Sequence, residues 1–196
     1  GALSLSSNTT GTYNTAVGRK ALEDSTTSDN NTACGAFALR DNTTGTRNTG
    51  LGAAAMDSNT TGNDNTAVGA SALLSNTTGT RNTAMGAYSA DANTTGSYNT
   101  AVGYYSLTNN TTGSYNTAVG DRALDSNVSG HRNTGVGYKA LEDTGNGSDN
   151  TAVGWQALDD CAADNNTAVG SGALKLNTTG AANTAVGSES LDANTT

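Results

Sequence analysis

Residues 99–115 read Asn-Thr-Ala-Val-Gly-Tyr-Tyr-Ser-Leu-Thr-Asn-Asn-Thr-Thr-Gly-Ser-Tyr, and the same pattern starts again at residue 116. The 196-residue chain contains Asn-Thr-(Ala or Gly)-x-Gly eleven times. Nine of the ten steps between copies are 17 residues long, and the step from Asn150 to Asn166 is 16. We interpret the short step as a one-residue deletion in the turn between Cys161 and Asn165. A fixed period of this length is typical of repeat proteins whose units pack on their neighbours.

The columns of the repeat predict where each residue lies. Numbered from its Asn, the consensus is N-T-A-V-G-x-x-A-L-x-x-N-T-T-G-x-x. Position four is apolar in every copy and position nine is Leu in nine copies, so we expect these two columns to form the inner seam. We therefore expect Val68, Val102 and Leu124 to be buried and Asp125 to be exposed. Position five is always Gly, which suits a tight corner, and Asn-Thr-Thr-Gly supplies a second turn.

A helical repeat does not fit this pattern. Each copy places Gly residues between its apolar positions, and each Gly costs a helix about 1 kcal/mol. Short strands separated by Gly and Asn corners fit better. The sequence therefore predicts an all-β fold, a parallel β-solenoid or β-roll of 17-residue coils. We expect residues 1–196 to form one array of about eleven coils, with both ends of the sequence lying inside a repeat.

Position three is restricted to Ala or Gly in all eleven copies. A column that never exceeds a methyl group indicates a close neighbour, because any added atom must fit a packed contact. We assign that neighbour to another copy of the chain, since one Val and one Leu per coil make a thin core. The expectation is a homo-oligomer, with a trimer favoured, in which the chain-chain packing residues are Ala67, Ala84, Ala101, Ala118 and Ala152.

Composition excludes several classes of function. The net charge is −8, from 9 basic and 17 acidic residues, so no basic face is available for nucleic acid. No apolar run is long enough to cross a membrane, so we expect no membrane insertion. His131 is the only histidine, and no base is placed to activate a Ser or Thr. We therefore expect a protein that is not an enzyme, with no catalytic residues, no metal site and no cofactor.

The motif resembles repeats of known surface fibres. Residues 113–123, Gly-Ser-Tyr-Asn-Thr-Ala-Val-Gly-Asp-Arg-Ala, resemble the Gly-x-x-Ser-Val-Ala-Ile-Gly-x-x-Ala repeat of trimeric autotransporter adhesin heads. The Asn-Thr-Ala-Val-Gly copies with Asn-Thr-Thr-Gly turns also resemble phage-type tail-fibre repeats. The resemblance implies a parallel β-roll in a trimeric fibre. From it we expect a structural shaft or spacer of an extracellular, cell-surface or virion fibre.

Aromatic residues suggest an alternative function. All nine lie at positions six, seven or seventeen, beside the predicted strand. Exposed aromatic stripes can bind sugars or anchor a partner, so the alternative is an adhesin that recognises host glycans or surfaces. Packing between chains or over turns is the competing explanation. The candidate contact residues are Tyr88, Tyr98, Tyr104, Tyr105, Tyr115, Tyr138 and Trp155.

Position twelve carries Asn-x-Ser/Thr in most copies, a pattern of glycosylation acceptors in secreted chains. The candidates for a glycan-coated fibre are Asn42, Asn59, Asn76, Asn93, Asn110, Asn127 and Asn177. The competing interpretation is that these residues serve turns and ladders. Asn30, Asn109, Asn146 and Asn165 also match the pattern.

Two weaker patterns remain. Acidic residues recur at positions ten and eleven, where they could bind calcium or simply form a solvated edge. Thr is constant at position two, and rows of Thr on a β-solenoid can bind ice, which gives a minor alternative function. However, position two shares strand parity with position four, which is expected to point inward. We therefore expect the position-two side chains not to face solvent.

Overall fold

The structure is a computed structural model that describes Gly1–Asn194. Eleven strands, each of three residues, occupy positions two to four of successive copies. They are β1 (Thr15–Val17), β2 (Thr32–Cys34), β3 (Thr49–Leu51), β4 (Thr66–Val68), β5 (Thr83–Met85), β6 (Thr100–Val102), β7 (Thr117–Val119), β8 (Thr134–Val136), β9 (Thr151–Val153), β10 (Thr167–Val169) and β11 (Thr184–Val186). The described residues contain no helix. The predicted β-solenoid of 17-residue coils is confirmed.

The strands form one parallel sheet in sequence order, and equivalent repeat positions pair throughout. The short copy keeps this register, since Thr151 pairs with Thr167. Cys161 stands where most other copies have the position-twelve Asn, and the Ala163 carbonyl accepts a hydrogen bond from Asn150 Nδ2 as a Gly carbonyl does elsewhere. The missing residue therefore lies in the turn that the sequence indicated.

The assignment of position four to the inner seam is wrong. Position three points into the coil and position four points out, so Ala101 is fully buried while Val102 is only half-buried. Val68 is also half-buried, and Met85 is 46% exposed. The core consists of the small residues at positions three and eight with the position-nine Leu, as in Ala123 and Leu124. The coil is too narrow for two large columns, so the smaller residue of the strand is the one inside.

The expected chain-chain contact at position three is corrected for the same reason. These alanines are fully enclosed by their own chain and cannot touch another copy. The close neighbour is the chain's own core: a Cβ added to Gly50, at the same position, would lie 3.4 Å from Leu39 Cγ. The residues concerned are Ala67, Ala84, Ala101, Ala118 and Ala152.

Residues at positions seven, nine and seventeen adopt left-handed backbone conformations, and nearly all of them are non-glycine residues. In one coil these are Tyr105, Leu107 and Tyr115, with φ of 52°, 55° and 63°. Such a conformation costs about 1–2 kcal/mol for a residue with a Cβ. Each of these residues donates its N–H to a neighbouring coil, as Leu107 does to the Ala123 carbonyl at 2.9 Å. Stacking between coils therefore sustains a backbone that no local sequence preference would select.

Candidate functional site

The outward face of the sheet is formed by positions two and four, and we call it the strand face. Its first row is Thr in all eleven copies, and its second row is always apolar. From β6 to β11 the second row is Val without interruption, whereas Cys34, Leu51 and Met85 interrupt it earlier. The side chains are half-buried to exposed along the described chain. The expectation that the position-two Thr faces inward is therefore wrong.

Two ladders of buried Asn run beneath the other sides of the solenoid. At position one, Asn116 accepts the backbone N–H of Asn133 and donates to the Gly130 carbonyl, both at 2.9 Å. At position twelve, Asn110 donates to Asn93 Oδ1 at 2.8 Å and to the Gly113 carbonyl at 3.0 Å. The amides thus satisfy the turn carbonyls inside the coil. They also link each coil to the next.

This burial removes the proposed glycosylation sites at position twelve. Glycan attachment needs an accessible amide nitrogen, but these side chains are at most 1% exposed and the nitrogen already donates hydrogen bonds. The interpretation as ladder residues fits, and the glycan-acceptor interpretation does not. The residues concerned are Asn42, Asn59, Asn76, Asn93, Asn110, Asn127 and Asn177. The other sequons differ, since Asn30, Asn109, Asn146 and Asn165 are exposed.

The predicted aromatic contact residues lie at the two edges of the strand face, where many of them stack on one another. Tyr98 and Tyr115 stack at position seventeen with ring centroids 4.9 Å apart and planes 7° apart. Tyr88 stacks on Tyr105 at 5.1 Å, and Tyr104 meets Tyr105 edge-on at 4.2 Å. These contacts favour the explanation in which the rings pack over the turns of their own chain, because part of each ring contacts another ring.

A second aromatic pair lies at position six of consecutive coils. Tyr138 and Trp155 have centroids 6.4 Å apart, and Trp155 is 52% exposed. Lys139 lies over the Tyr138 ring and Lys175 over the Trp155 ring. Tyr138, at 43%, is also exposed.

The acidic column at position ten is more buried than expected. Asp125 is half-buried, which corrects the prediction that it is exposed. Burial raises the pKa of Asp159 to about 6, and the stacked carboxylate of Glu142 adds to the rise. Burial also raises the pKa of Asp57, Asp91 and Asp125. Within residues 1–194 no three His, Cys, Asp or Glu side chains are grouped to hold a metal ion.

The position-sixteen side chains accept hydrogen bonds from backbone N–H groups of the neighbouring coil. His131 Nδ1 accepts the N–H of Ser114 at 3.0 Å, and the N–H of His131 donates to Ser148 Oγ at 3.0 Å. The only histidine of the chain is therefore part of a ladder between coils.

The two cysteines occupy opposite environments. Cys34 lies on the strand face and is exposed. Cys161 replaces a ladder Asn, is 1% exposed, and has a thiol pKa raised by burial. Both are free thiols.

Comparison with known proteins gives no relative. No family model matches the chain, no curated protein is similar to it, and no solved structure matches it. Among the described residues no helix is long and apolar enough to cross a membrane. The functional interpretation therefore depends on the geometry of the solenoid itself.

Proposed function

We propose that this chain is a structural shaft or spacer segment of an extracellular, cell-surface or virion fibre, and that it is not an enzyme. The observation that carries the proposal is the unbroken coil-on-coil register. Every strand pairs with the equivalent residues of the next copy, and one insertion-free array runs through the described chain. Such an array grows by about 4.8 Å for each added copy, so its length follows directly from copy number.

The internal ladders support this role. Backbone hydrogen bonds and the position-one Asn ladder connect neighbouring coils, and the position-twelve Asn ladder adds contacts wherever Asn occupies that position. Repeat proteins of this kind are stabilised by nearest-neighbour contacts, so a long rod needs no central domain. The low content of large apolar residues, with 34% hydrophobic residues overall, is offset by this polar interior.

Because the position-three alanines point into the coil, they give no support to a homotrimer. The position-three column belongs to the chain's own core, so it offers no interface, and the ladders complete each coil without a partner. We therefore propose a single-chain rod as the working unit.

An adhesin remains the second candidate. Exposed Tyr104 and Trp155, at 47% and 52%, present ring faces along one edge of the strand face. Aromatic rings of this kind can anchor a sugar or a protein partner. The cation over the Trp155 ring and the stacked tyrosines also give these residues an ordinary packing role.

Replacing Tyr104, Tyr105 and Trp155 together with Ala separates the two functions. For a shaft, we expect no glycan or cell binding by the parent chain. Loss of the ring pairs should cost about 0.5–1.5 kcal/mol of unfolding free energy for each pair. Tyr13, which is 85% exposed, gives the matched control Tyr13→Ala. Saturable glycan binding by the parent that disappears in a folded triple variant, but persists in the control, would establish the adhesin instead.

A further inference from the structure

We propose that the strand face from β6 to β11 binds ice. The surface consists of two rows of six side chains on adjacent coils. The Thr row is Thr100, Thr117, Thr134, Thr151, Thr167 and Thr184, and the Val row is Val102, Val119, Val136, Val153, Val169 and Val186. This activity goes beyond the shaft function and does not depend on it.

The first support is geometric. Because the strands pair in register, each row repeats at the strand spacing of about 4.8 Å. Positions two and four of one strand are about 6.6 Å apart along the strand. The coil-to-coil distance is close to the shorter repeat distance of the hexagonal ice lattice, so the proposed match runs along the rows. Thr and Val are β-branched, so their side chains have few rotamers and hold these positions firmly.

The second support is the state of the Thr hydroxyls. At position thirteen the hydroxyl is used internally, as when Thr94 Oγ1 donates to the Thr111 carbonyl at 2.9 Å. At position two, within residues 1–194, the Thr hydroxyls of β6–β11 have no hydrogen-bond partner in the protein. They can therefore donate to and accept from water at regular intervals.

The third support is what the face lacks. None of the eleven copies has a charged residue at position two or four. A charged side chain would hold its own hydration shell and disturb an ordered water layer. Alternating methyl groups and hydroxyls can instead stabilise a water layer that matches ice.

We favour ice over a second copy of the chain because the rows are uniform from β6 to β11. A protein partner would tolerate the uneven Cys34, Leu51 and Met85 of β2–β5 as readily as Val. A crystal lattice would not, which confines the proposed site to β6–β11. The outcome in which a second copy covers the face is part of the test.

The test measures ice-crystal shaping and the freezing-point gap of the purified 196-residue chain. We expect the parent to facet growing crystals and to open a measurable gap. The variant Thr117→Lys with Thr134→Lys should lose both effects. The matched control Thr95→Lys with Thr112→Lys changes exposed position-fourteen residues on another side of the coil and should retain them.

A second, conservative double variant keeps the test decisive if the Lys variant fails to fold. Thr117→Val with Thr134→Val keeps the β-branched shape but removes two hydroxyls, so it should fold normally and narrow the freezing-point gap. Absence of any ice shaping by the parent overturns the proposal. Equal loss in the position-fourteen control also overturns it. So does sedimentation showing an oligomer that only the Thr117→Lys, Thr134→Lys variant dissociates, because a second copy is then the occupant.

Discussion

Replacing Gly103 with Ala is expected to prevent stable stacking of the coils on either side of it. Gly103 has a φ of 140°, and a Cβ there would lie 2.3 Å from the Gly120 carbonyl oxygen of the next coil. The obstacle is backbone, so no side-chain movement can relieve it. The clash and the strained φ together should lower the free energy of unfolding by on the order of 4–5 kcal/mol or more.

Gly172→Ala provides the matched control. Gly172 also has a positive φ, of 65°, but a Cβ there would meet nothing closer than Glu189 Cγ at 3.5 Å. Other copies carry residues such as Lys139 at this position with a similar φ. The control should cost about 1 kcal/mol. Denaturant unfolding of both variants measures the difference, and equal stabilities would contradict coil stacking at position five.

Replacing the buried ladder residue Asn110 with Ala should strongly destabilise the fold. The substitution leaves Asn93 Oδ1 without its donor and Asn127 Nδ2 without one acceptor, both inside the coil. A buried polar group left unpaired costs about 1–3 kcal/mol, and the lost side chain adds a cavity. We expect a loss of about 3–5 kcal/mol of unfolding free energy.

The neighbouring residue gives the control for this prediction. Asn109 is also the first residue of an Asn-x-Thr pattern, but its side chain is exposed. Asn109→Ala should change stability by no more than about 0.5 kcal/mol. Thermal or denaturant unfolding of the two variants distinguishes a buried ladder from a solvated turn. Similar small effects at both positions would show that position twelve is not inside.

The period and the turn residues were sufficient to predict the solenoid, its coil length and the place of the deletion. The strand parity itself was also available, since positions two and four must share a face. The error was to put the larger residue inside. In a coil this narrow, the constant small residue at position three is the core signal, because Ala101 packs in the interior with Leu107.

Other features could not be predicted from local sequence. The backbone at positions seven and seventeen is left-handed in residues as different as Phe37, Arg47 and Tyr98, so no residue type predicts the conformation. Closure of the coil and bonding to its neighbours impose it. Burial of the position-twelve Asn was likewise hidden, because turn-forming Asn and ladder Asn look the same in sequence. Ice binding was kept only as a minor alternative because of the parity error, which placed the position-two Thr side chains away from solvent.

The orientation of the strand is the central claim, and thiol accessibility tests it without any substitution. Cys34 lies on β2 at position four, and Cys161 takes a buried ladder position. Titration of the native chain with a colorimetric thiol reagent should give one rapid equivalent, with the second appearing only on unfolding. Peptide mapping should assign the rapid equivalent to Cys34. Protection of Cys34 in the native chain, together with reaction of Cys161, would contradict the account.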